Sequence, residues 1–213
     1  MHSVVLTFDD GPDPEHTPRI LDVLAKERVQ ALFFILGMRL ETPGAIEIVR
    51  RAAREGHLIG NHSYGHHRLN QLPADQIASE ILKTHHLIAE LEPKRKLFRP
   101  PFGASNKTVE AIARKLGYRT VLWNVDSADW KEENKPSGWV GVALKQIQTR
   151  YLAICLCHDY GHTADHLQQL IERTKRLSRS QVVRYDERKS LTSMARGWWG
   201  SASREVGKRI EPA

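Results

Sequence analysis

Short apolar runs alternate along the chain with stretches in which apolar residues recur every three or four positions. The runs at residues 4–8 and 31–36 are almost continuously apolar, which is typical of strands buried on both faces. The intervening periodicity predicts helices. Further strands are predicted at residues 57–62, 96–99, 118–125, 151–157 and 181–183. Repeated strand–helix units in one domain imply parallel strands with helices outside, either in an open doubly wound sheet or in a barrel.

Capping residues and prolines mark the predicted helix starts. Thr17 and Thr42 each precede a proline, which combines an N-cap with a residue suited to the first helical position. Ser105 is expected to cap another helix. The other predicted helices run from Pro73 to about residue 91, over residues 140–147 and over residues 163–177.

Unusual polar residues follow the predicted strands at their carboxyl ends. In parallel β/α barrels, chemistry gathers at this end of the strands. Chance placement would scatter such residues over the surface, so their position predicts a functional site on one rim. They are, in chain order, Asp9 and Asp10 after the first strand, His62 and His66 after the third, Arg99 at the end of the fourth, Asp126 and Asp129 after the fifth, and His158 at the end of the sixth.

The adjacent carboxylates and the paired histidines favour a metal site. Asp9 and Asp10 repel each other, and a cation beside them removes the cost of burying both. His62 and His66 are four residues apart, so both can reach one cation from a compact loop. Two histidines and one carboxylate form a familiar zinc set that leaves a position for water and substrate. The alternatives are an Asp-Asp-Gly turn after an edge strand and a solvated histidine-rich loop.

The remaining polar residues on the rim suit acid–base chemistry. Only one aspartate need bind metal, which leaves the other free to take a proton from a water that the cation has acidified. Arg99 could hold that carboxylate ionised and oriented, or it could be a surface arginine. His158 is a candidate general acid positioned by Asp126 or Asp129, or else an ordinary histidine at a strand end.

Two apolar residues near these groups are candidates for contact with substrate. Leu156 precedes His158 by two positions on the same strand, so both side chains face the same way. An apolar side chain beside the acid indicates a small apolar group on the substrate. Trp130 either forms another wall of the site or lies in the core.

The composition limits the possible partners. A chain of 213 residues suits one domain with a sizeable core, and 40% hydrophobic and 27% charged residues are ordinary for a soluble globular protein. A net charge of +7 is compatible with nucleic acid, a phospholipid surface or an anionic glycan as partner, or with a basic protein that has none of these. No zinc-finger spacing or aromatic–basic RNA-binding motif is present, so we expect no nucleic-acid partner.

The cysteines and the first residues bear on the compartment. Cys155 and Cys157 lie two apart on a predicted strand, at a separation poorly suited to a disulfide. The first residues lead directly into a strand without a signal peptide, and no apolar run is long enough to span a bilayer. We therefore expect an intracellular protein or a domain separated from its targeting segment, and the sequence does not decide between them.

Five motifs in chain order resemble those of the polysaccharide deacetylases, also called the NodB-homology or chitin deacetylase family. They lie at residues 7–12, 62–66, 99–103, 126–130 and 156–158. The resemblance implies a distorted (β/α) barrel with fewer than eight strands. It fades after Asp159, so we expect a deacetylase domain at residues 1–188 and a basic tail at residues 189–213 that carries Trp198 and Trp199.

The resemblance also implies a role for each residue of these motifs. Asp9 would be the general base, supported by Arg99, and His158 the general acid, oriented by Asp129. A backbone N–H near Phe102 would help to hold the oxyanion, although tyrosine is commoner than phenylalanine there. The implied metal ligands are Asp10, His62 and His66, and the implied substrate contacts are Phe102, Trp130 and Leu156.

The function implied is a metal-dependent hydrolase that removes N-acetyl groups from amino-sugar glycans of the chitin or peptidoglycan type and releases acetate. Zinc is the expected metal, and cobalt, nickel or manganese could serve in its place. The alternatives are a deformylase of a lipid-linked formamido sugar at the inner membrane face, an acetyl-ester hydrolase, and a glycan-binding module without activity. The basic tail would contact an anionic or membrane surface. The oligomeric state is left open.

Overall fold

The computed structural model describes residues 2–177 and 180–186, in which strands and helices alternate. The eight strands of this part are β1 (His2–Asp9), β2 (Leu32–Ile35), β3 (Leu58–Asn61), β4 (Lys96–Phe98), β5 (Tyr118–Thr120), β6 (Val125–Asp126), β7 (Leu152–His158) and β8 (Ser180–Val182). The six α-helices are α1 (His16–Glu27), α2 (Ala45–Arg54), α3 (Ala74–Ile88), α4 (Lys107–Lys115), α5 (Gly138–Ile147) and α6 (Gly161–Arg176).

The strands form one parallel sheet that curls into an incomplete barrel. Seven strands follow the order β5-β4-β3-β2-β1-β7-β6, and β8 pairs with the first residues of β1 off this path. The two ends of the path, β5 and β6, are separated only by residues 121–124. Four extended residues reach at most about 14 Å, so the sheet must bend round to bring its edges close. The predicted α/β fold with a distorted barrel is confirmed.

The alternation of side chains along each strand separates the two faces of the sheet. On β1, Val4, Leu6 and Phe8 belong to the core shared with the helices. Val5 belongs to a second core that the strands build between themselves inside the barrel. Because neighbouring side chains point to opposite faces, Asp9 shares the interior face with Val5. The interior apolar residues thus lie beneath the polar residues at the mouth.

Three predicted helix caps, Thr17, Thr42 and Ser105, are wrong because each helix begins at another residue. Helix α2 begins at Ala45 after Gly44, so Thr42 lies before it. Helix α1 begins at His16, whose N–H donates to Asp13 Oδ1 at 2.8 Å, so Thr17 lies inside the first turn. Helix α4 begins after Asn106, whose side chain accepts from Val109 N–H at 2.9 Å, and Ser105 instead donates to Glu110. Asp and Asn cap as well as Ser or Thr, so short polar runs leave the cap ambiguous.

The predicted fifth strand, residues 118–125, divides into β5 and β6. Between them, hydrogen bonds that involve side chains replace part of the sheet ladder. Arg99 Nε donates to the carbonyl of Val121 at 2.9 Å, and Ile154 N–H donates to Asn124 Oδ1 at 2.8 Å. This break therefore brings the guanidinium of Arg99 into the barrel interior.

Other predictions concern the cysteines, the membrane and the tail. Cys155 and Cys157 are both free and buried, in agreement with the prediction of no disulfide. None of the described helices is long and apolar enough to cross a membrane. The proposed boundary at residue 188 and the basic tail at residues 189–213 lie outside the described residues and stay predictions.

Candidate active site

The polar residues predicted on one rim come together at the mouth of the barrel. Asp9 ends β1 and His158 ends β7, and these two residues are direct partners across the parallel pair. Arg99 follows β4, and its N–H donates to the carbonyl of Asn61 at the end of β3. The strand ends thus bring a carboxylate, an imidazole and a guanidinium to one level of the barrel.

Asp9 and Arg99 form a buried ion pair. Asp9 is 3% exposed and Arg99 is 0% exposed, and Arg99 Nη1 lies 2.7 Å from Asp9 Oδ1. The same nitrogen donates to Thr7 Oγ1 at 2.8 Å, and the guanidinium stacks 4.2 Å from the ring centre of Phe34. Burial lowers the pKa of Arg99 while Asp9 opposes the shift, and an arginine in a protein keeps its charge. The pair therefore holds Asp9 in one orientation beside a fixed cation.

Asp10, unlike its neighbour, faces two imidazoles. Its Oδ1 lies 3.2 Å from His62 Nε2 and 3.0 Å from His66 Nε2. One ligand atom from each of these three residues falls within 4.8 Å of the other two. Asp10 Oδ1 is buried and has no hydrogen-bond partner within the described part of the chain. Burial raises the pKa of Asp10, but His62 and His66, when their rings are protonated, oppose burial, and the net effect is then a lower pKa.

The tautomer of His62 indicates what these atoms are arranged to bind. His62 Nδ1 lies 2.7 Å from the carbonyl oxygen of Arg99, which can only accept, so Nδ1 carries the proton. In the neutral ring, Nε2 then presents a lone pair towards Asp10 Oδ1. Two facing acceptors repel unless a cation lies between them, and a backbone acceptor behind a histidine is the usual support of a metal ligand. The donor set of Asp10, His62 and His66 fits a divalent cation such as zinc.

His158 and Asp129 form a second buried pair on the other side of the mouth. His158 Nδ1 lies 2.7 Å from Asp129 Oδ1, and His158 N–H donates to Oδ2 at 2.8 Å. Burial lowers the pKa of His158, but Asp129 and then the carboxylates of Asp10 and Asp9 outweigh burial and raise the pKa to about 9. The imidazole is therefore protonated at neutral pH, with its Nε2 not engaged by Asp129.

Of the two carboxylates that the sequence offered as partners for His158, the structure brings Asp129 into contact. Asp126 Oδ1 instead accepts the backbone N–H of Ala128 at 2.8 Å and so closes the turn after β6. That turn places Ala128 in a left-handed conformation, with a φ of 54°. The turn thereby directs Asp129 towards His158.

The predicted substrate contacts occupy different parts of the mouth. Leu156 is buried on β7, on the same strand face as His158. Trp130 is 44% exposed, so it is not a core residue. Phe102 is 38% exposed and left-handed, with a φ of 59°, and its ring centre lies 4.5 Å from that of His66. Phe102 is therefore adjacent to the candidate metal ligands.

Sequence reasoning missed three residues that support this site. Thr163 donates to Asp129 Oδ2 at 2.9 Å, although the sequence assigned it to a helix start. Asp159 is buried against Gly11, where an added Cβ would lie 2.2 Å from its Oδ2, and burial raises the pKa of Asp159 to about 7. Thr7 could have been found, because strand alternation places it on the same face as Asp9.

The fold and the mouth together define an α/β-barrel protein with a candidate metal and acid–base centre at the carboxyl ends of its strands. Residues 1–121 match the family model described as polysaccharide deacetylase. This match spans more than half of the chain, so the chain belongs to the polysaccharide deacetylase family.

Among curated relatives, the chain is similar to a peptidoglycan-N-acetylglucosamine deacetylase of Bacillus cereus. The two are 43% identical over 129 residues, which is 60% of this chain and 46% of that relative. The chain thus spans about half the length of that relative, so the relative contains a part that this comparison does not reach.

Solved structures of the same family share the fold. A peptidoglycan N-acetylglucosamine deacetylase with a bound benzamide compound superposes with a TM-score of 0.76 at 34% identity, covering 85% of each chain. A mutant of a CE4 family pseudoenzyme, described as having restored enzymatic activity, superposes with a TM-score of 0.77 at 30% identity, covering 85% of this chain and 65% of that one. Because an inactive protein shares the fold, the activity of this chain must be argued from its own site residues.

Proposed function

We propose that the protein is a metal-dependent hydrolase that removes N-acetyl groups from amino-sugar glycans, of the chitin or peptidoglycan type, and releases acetate. The observation that carries this proposal is the register of Asp9 with His158 beside a three-ligand cluster. A carboxylate that can take a proton and an imidazolium that can give one thus face the same space. The relatives named as peptidoglycan deacetylases support the choice of substrate class.

Asp10, His62 and His66 would hold the cation. Zinc suits two imidazoles and one carboxylate, and cobalt, nickel or manganese can use the same donors. When bound, such a cation polarises a carbonyl oxygen and lowers the pKa of water towards about 7.

Asp9 is assigned the role of general base. It would accept a proton from the water that attacks the acetamide carbon. Arg99 Nη1, at 2.7 Å, pairs with one oxygen of the carboxylate and so fixes which oxygen faces the mouth. Because Arg99 is fully buried, this orientation is set by the protein and not by solvent.

His158 is assigned the role of general acid. Its Nδ1 is occupied by Asp129 at 2.7 Å, so Nε2 is the atom from which a proton can pass to the departing nitrogen. The raised pKa of His158 keeps that proton in place at neutral pH. An amide requires such a donor, because an unprotonated amine anion is a very poor leaving group.

Three further residues would shape the substrate space. Leu156, buried beside His158, would line the pocket for the acetyl methyl group. A backbone N–H near Phe102 would donate to the developing oxyanion. Trp130, a residue 44% exposed, would offer the apolar face of its indole to a sugar ring.

A substrate panel tests this proposal. The purified full chain, stripped with a chelator and reloaded with Zn²⁺, would be offered N-acetylglucosamine oligomers, peptidoglycan fragments, an N-formyl sugar and an O-acetyl sugar. We expect acetate from the N-acetyl substrates with the reloaded protein and none with the stripped protein. Formate alone would favour the deformylase, acetate from the O-acetyl sugar alone would favour the ester hydrolase, and no product from metal-loaded protein would favour a binding module.

A further inference from the structure

The loop that carries both candidate histidine ligands has an unfavourable backbone conformation. Within residues 62–66, Ser63 has a φ of 64° and His66 a φ of 57°. Left-handed residues other than glycine are uncommon, and they persist only where the surrounding structure determines them. The positions of the two imidazoles therefore depend on groups outside the loop.

Two side chains supply most of the external restraint on the backbone N–H groups of this loop. Glu80 Oε2 accepts from the N–H groups of Tyr64 at 3.2 Å and Gly65 at 2.7 Å. Asn61 Oδ1 accepts from Ser63 N–H at 2.8 Å. Glu80 accepts its two hydrogen bonds directly from its position on α3. Asn61 can accept from Ser63 N–H only if its side-chain amide is oriented with Oδ1 towards that group.

Two acceptors on the side away from the loop orient the side-chain amide of Asn61. Asn61 is fully buried, and its Nδ2 donates to the carbonyl of Ile81 at 2.9 Å and to the hydroxyl of Tyr118 at 3.1 Å. With both amide hydrogens used there, Oδ1 must face Ser63 N–H. A rotated amide would set its NH₂ group against that N–H, leaving two donors opposed.

The hydroxyl of Tyr118 is in turn oriented by a buried carboxylate. Tyr118 donates its single hydroxyl hydrogen to Glu92 Oε1 at 2.5 Å, so towards Asn61 it can only accept. Glu92 has a side chain 2% exposed, and its Oε2 lies 2.6 Å from His85 Nδ1, an atom that also lies 3.1 Å from the hydroxyl of Tyr118. Burial and Glu92 both raise the pKa of Tyr118, so its hydroxyl keeps the proton that this direction requires.

We propose that Glu92, Tyr118 and Asn61 form a relay that positions the His62–His66 loop and thereby sets the affinity of the candidate metal site. These are positioning residues, because none of them touches the space where substrate would bind. The inference rests on the metal site of the proposed function and extends it to a cluster on the outer side of the sheet. The relay predicts that the hydroxyl oxygen of Tyr118 affects metal binding through two successive hydrogen bonds. Asn61 Nδ2 donates to this oxygen, and Asn61 Oδ1 accepts from Ser63 N–H.

The test measures metal binding in Tyr118→Phe, which removes the hydroxyl and retains the ring. Stripped protein would be titrated with Co²⁺ and Zn²⁺ against a competing chelator, and the visible spectrum of the Co²⁺ form would report ligand geometry. One net hydrogen bond corresponds to about 3- to 10-fold in affinity, so we expect a weakening of that size and an altered spectrum. Tyr151→Phe, at a residue 67% exposed, is the matched control and should match the wild type.

A second variant separates the relay from general damage to the fold. Glu92→Ala leaves the ring and hydroxyl of Tyr118 in place and should weaken metal binding in the same direction, whereas Glu92→Gln keeps an acceptor and should lie nearer the wild type. Lower thermal stability with unchanged metal affinity and spectrum in Tyr118→Phe and Glu92→Ala would overturn the relay and leave the proposed function standing. Failure of the wild type to bind any divalent metal would instead overturn the proposed function and the relay with it.

Discussion

The two halves of the barrel mouth satisfy their polar atoms in opposite ways. On the side of β6 and β7, Asp129 has both oxygens engaged: Oδ1 by His158 Nδ1, and Oδ2 by His158 N–H and by Thr163. On the side of β1 and β3, Asp10 Oδ1 is buried, has no hydrogen-bond partner among the described residues, and faces the imidazoles of His62 and His66. In the half at β6 and β7, hydrogen-bond donors surround the carboxylate of Asp129. In the half at β1 and β3, acceptor atoms lie next to one another.

This difference indicates what each half is built to hold. A carboxylate surrounded by donors keeps a neighbouring imidazole in one orientation and stabilises its charge, which suits proton transfer. A buried carboxylate left without donors is costly, and proteins retain such groups where a ligand satisfies them. The first half is therefore expected to control a proton and the second to control a cation.

The largest expected effect comes from exchanging one atom in each of two adjacent aspartates. Asp10→Asn replaces a charged ligand and should abolish both bound metal and turnover. Asp9→Asn removes the proposed base but none of the proposed ligands, so it should retain metal while turnover falls by about 10²- to 10⁴-fold. Metal content by elemental analysis, together with acetate release, separates the two variants.

The Asp9 variant needs a stability control because it leaves Arg99 buried without its carboxylate. Thermal unfolding should show a lower melting temperature for Asp9→Asn, and rates should be measured well below it. Near-normal turnover in that variant would mean that the base lies elsewhere. Full metal occupancy in Asp10→Asn would remove Asp10 from the ligand set.

A more selective effect is expected from His158→Ala. An amide needs its leaving nitrogen protonated, whereas a nitrophenolate leaves readily as an anion. Loss of a positioned acid should therefore slow N-acetylglucosamine oligomers by about 10²- to 10⁴-fold and an activated acetyl ester far less. Metal should stay bound, since His158 is not one of the proposed metal ligands. Equal slowing of both substrates would assign His158 to substrate binding or to the oxyanion.

The strand–helix order and the common rim were predictable because both are local properties of the chain. Apolar runs define the strands, and the polar residues that follow them must meet once the strands are parallel. The division of the fifth strand was not predictable, since it depends on Arg99, which is remote in sequence and takes the carbonyl of Val121. The local pattern of apolar and polar residues does not predict a hydrogen bond between segments that are distant in sequence.

The choice between Asp126 and Asp129 shows the same limit within the site. Spacing alone allows either carboxylate to reach His158, because both follow a strand end. The structure separates them through a turn in which Asp126 binds Ala128 N–H and Ala128 adopts a positive φ of 54°. The resemblance to the family implies Asp129, which is the carboxylate that contacts His158 in the structure. The solvent exposure of Trp130 likewise depends on this turn and not on the hydropathy of tryptophan.

The smallest expected effect is a shift in pH dependence, and it tests whether Asp129 sets the charge of His158. The pKa of His158 is raised from 6.5 to about 9, so the contribution of this pair to stability should be complete below pH 6.5 and lost as the pH rises through 9. The acid must be protonated, so kcat/KM should fall along an alkaline limb near pH 9.

In Asp129→Asn the carboxylate charge is lost and burial lowers the pKa of the His158 imidazole with less opposition, so the alkaline limb should move to lower pH. Asp126→Asn is the matched control, because Asp126 is engaged by Ala128 N–H and should shift the limb less. Rate profiles and urea unfolding between pH 6 and pH 10 measure both quantities. An alkaline limb that stays in place in Asp129→Asn, with metal bound and the protein folded, would mean that another group is the acid.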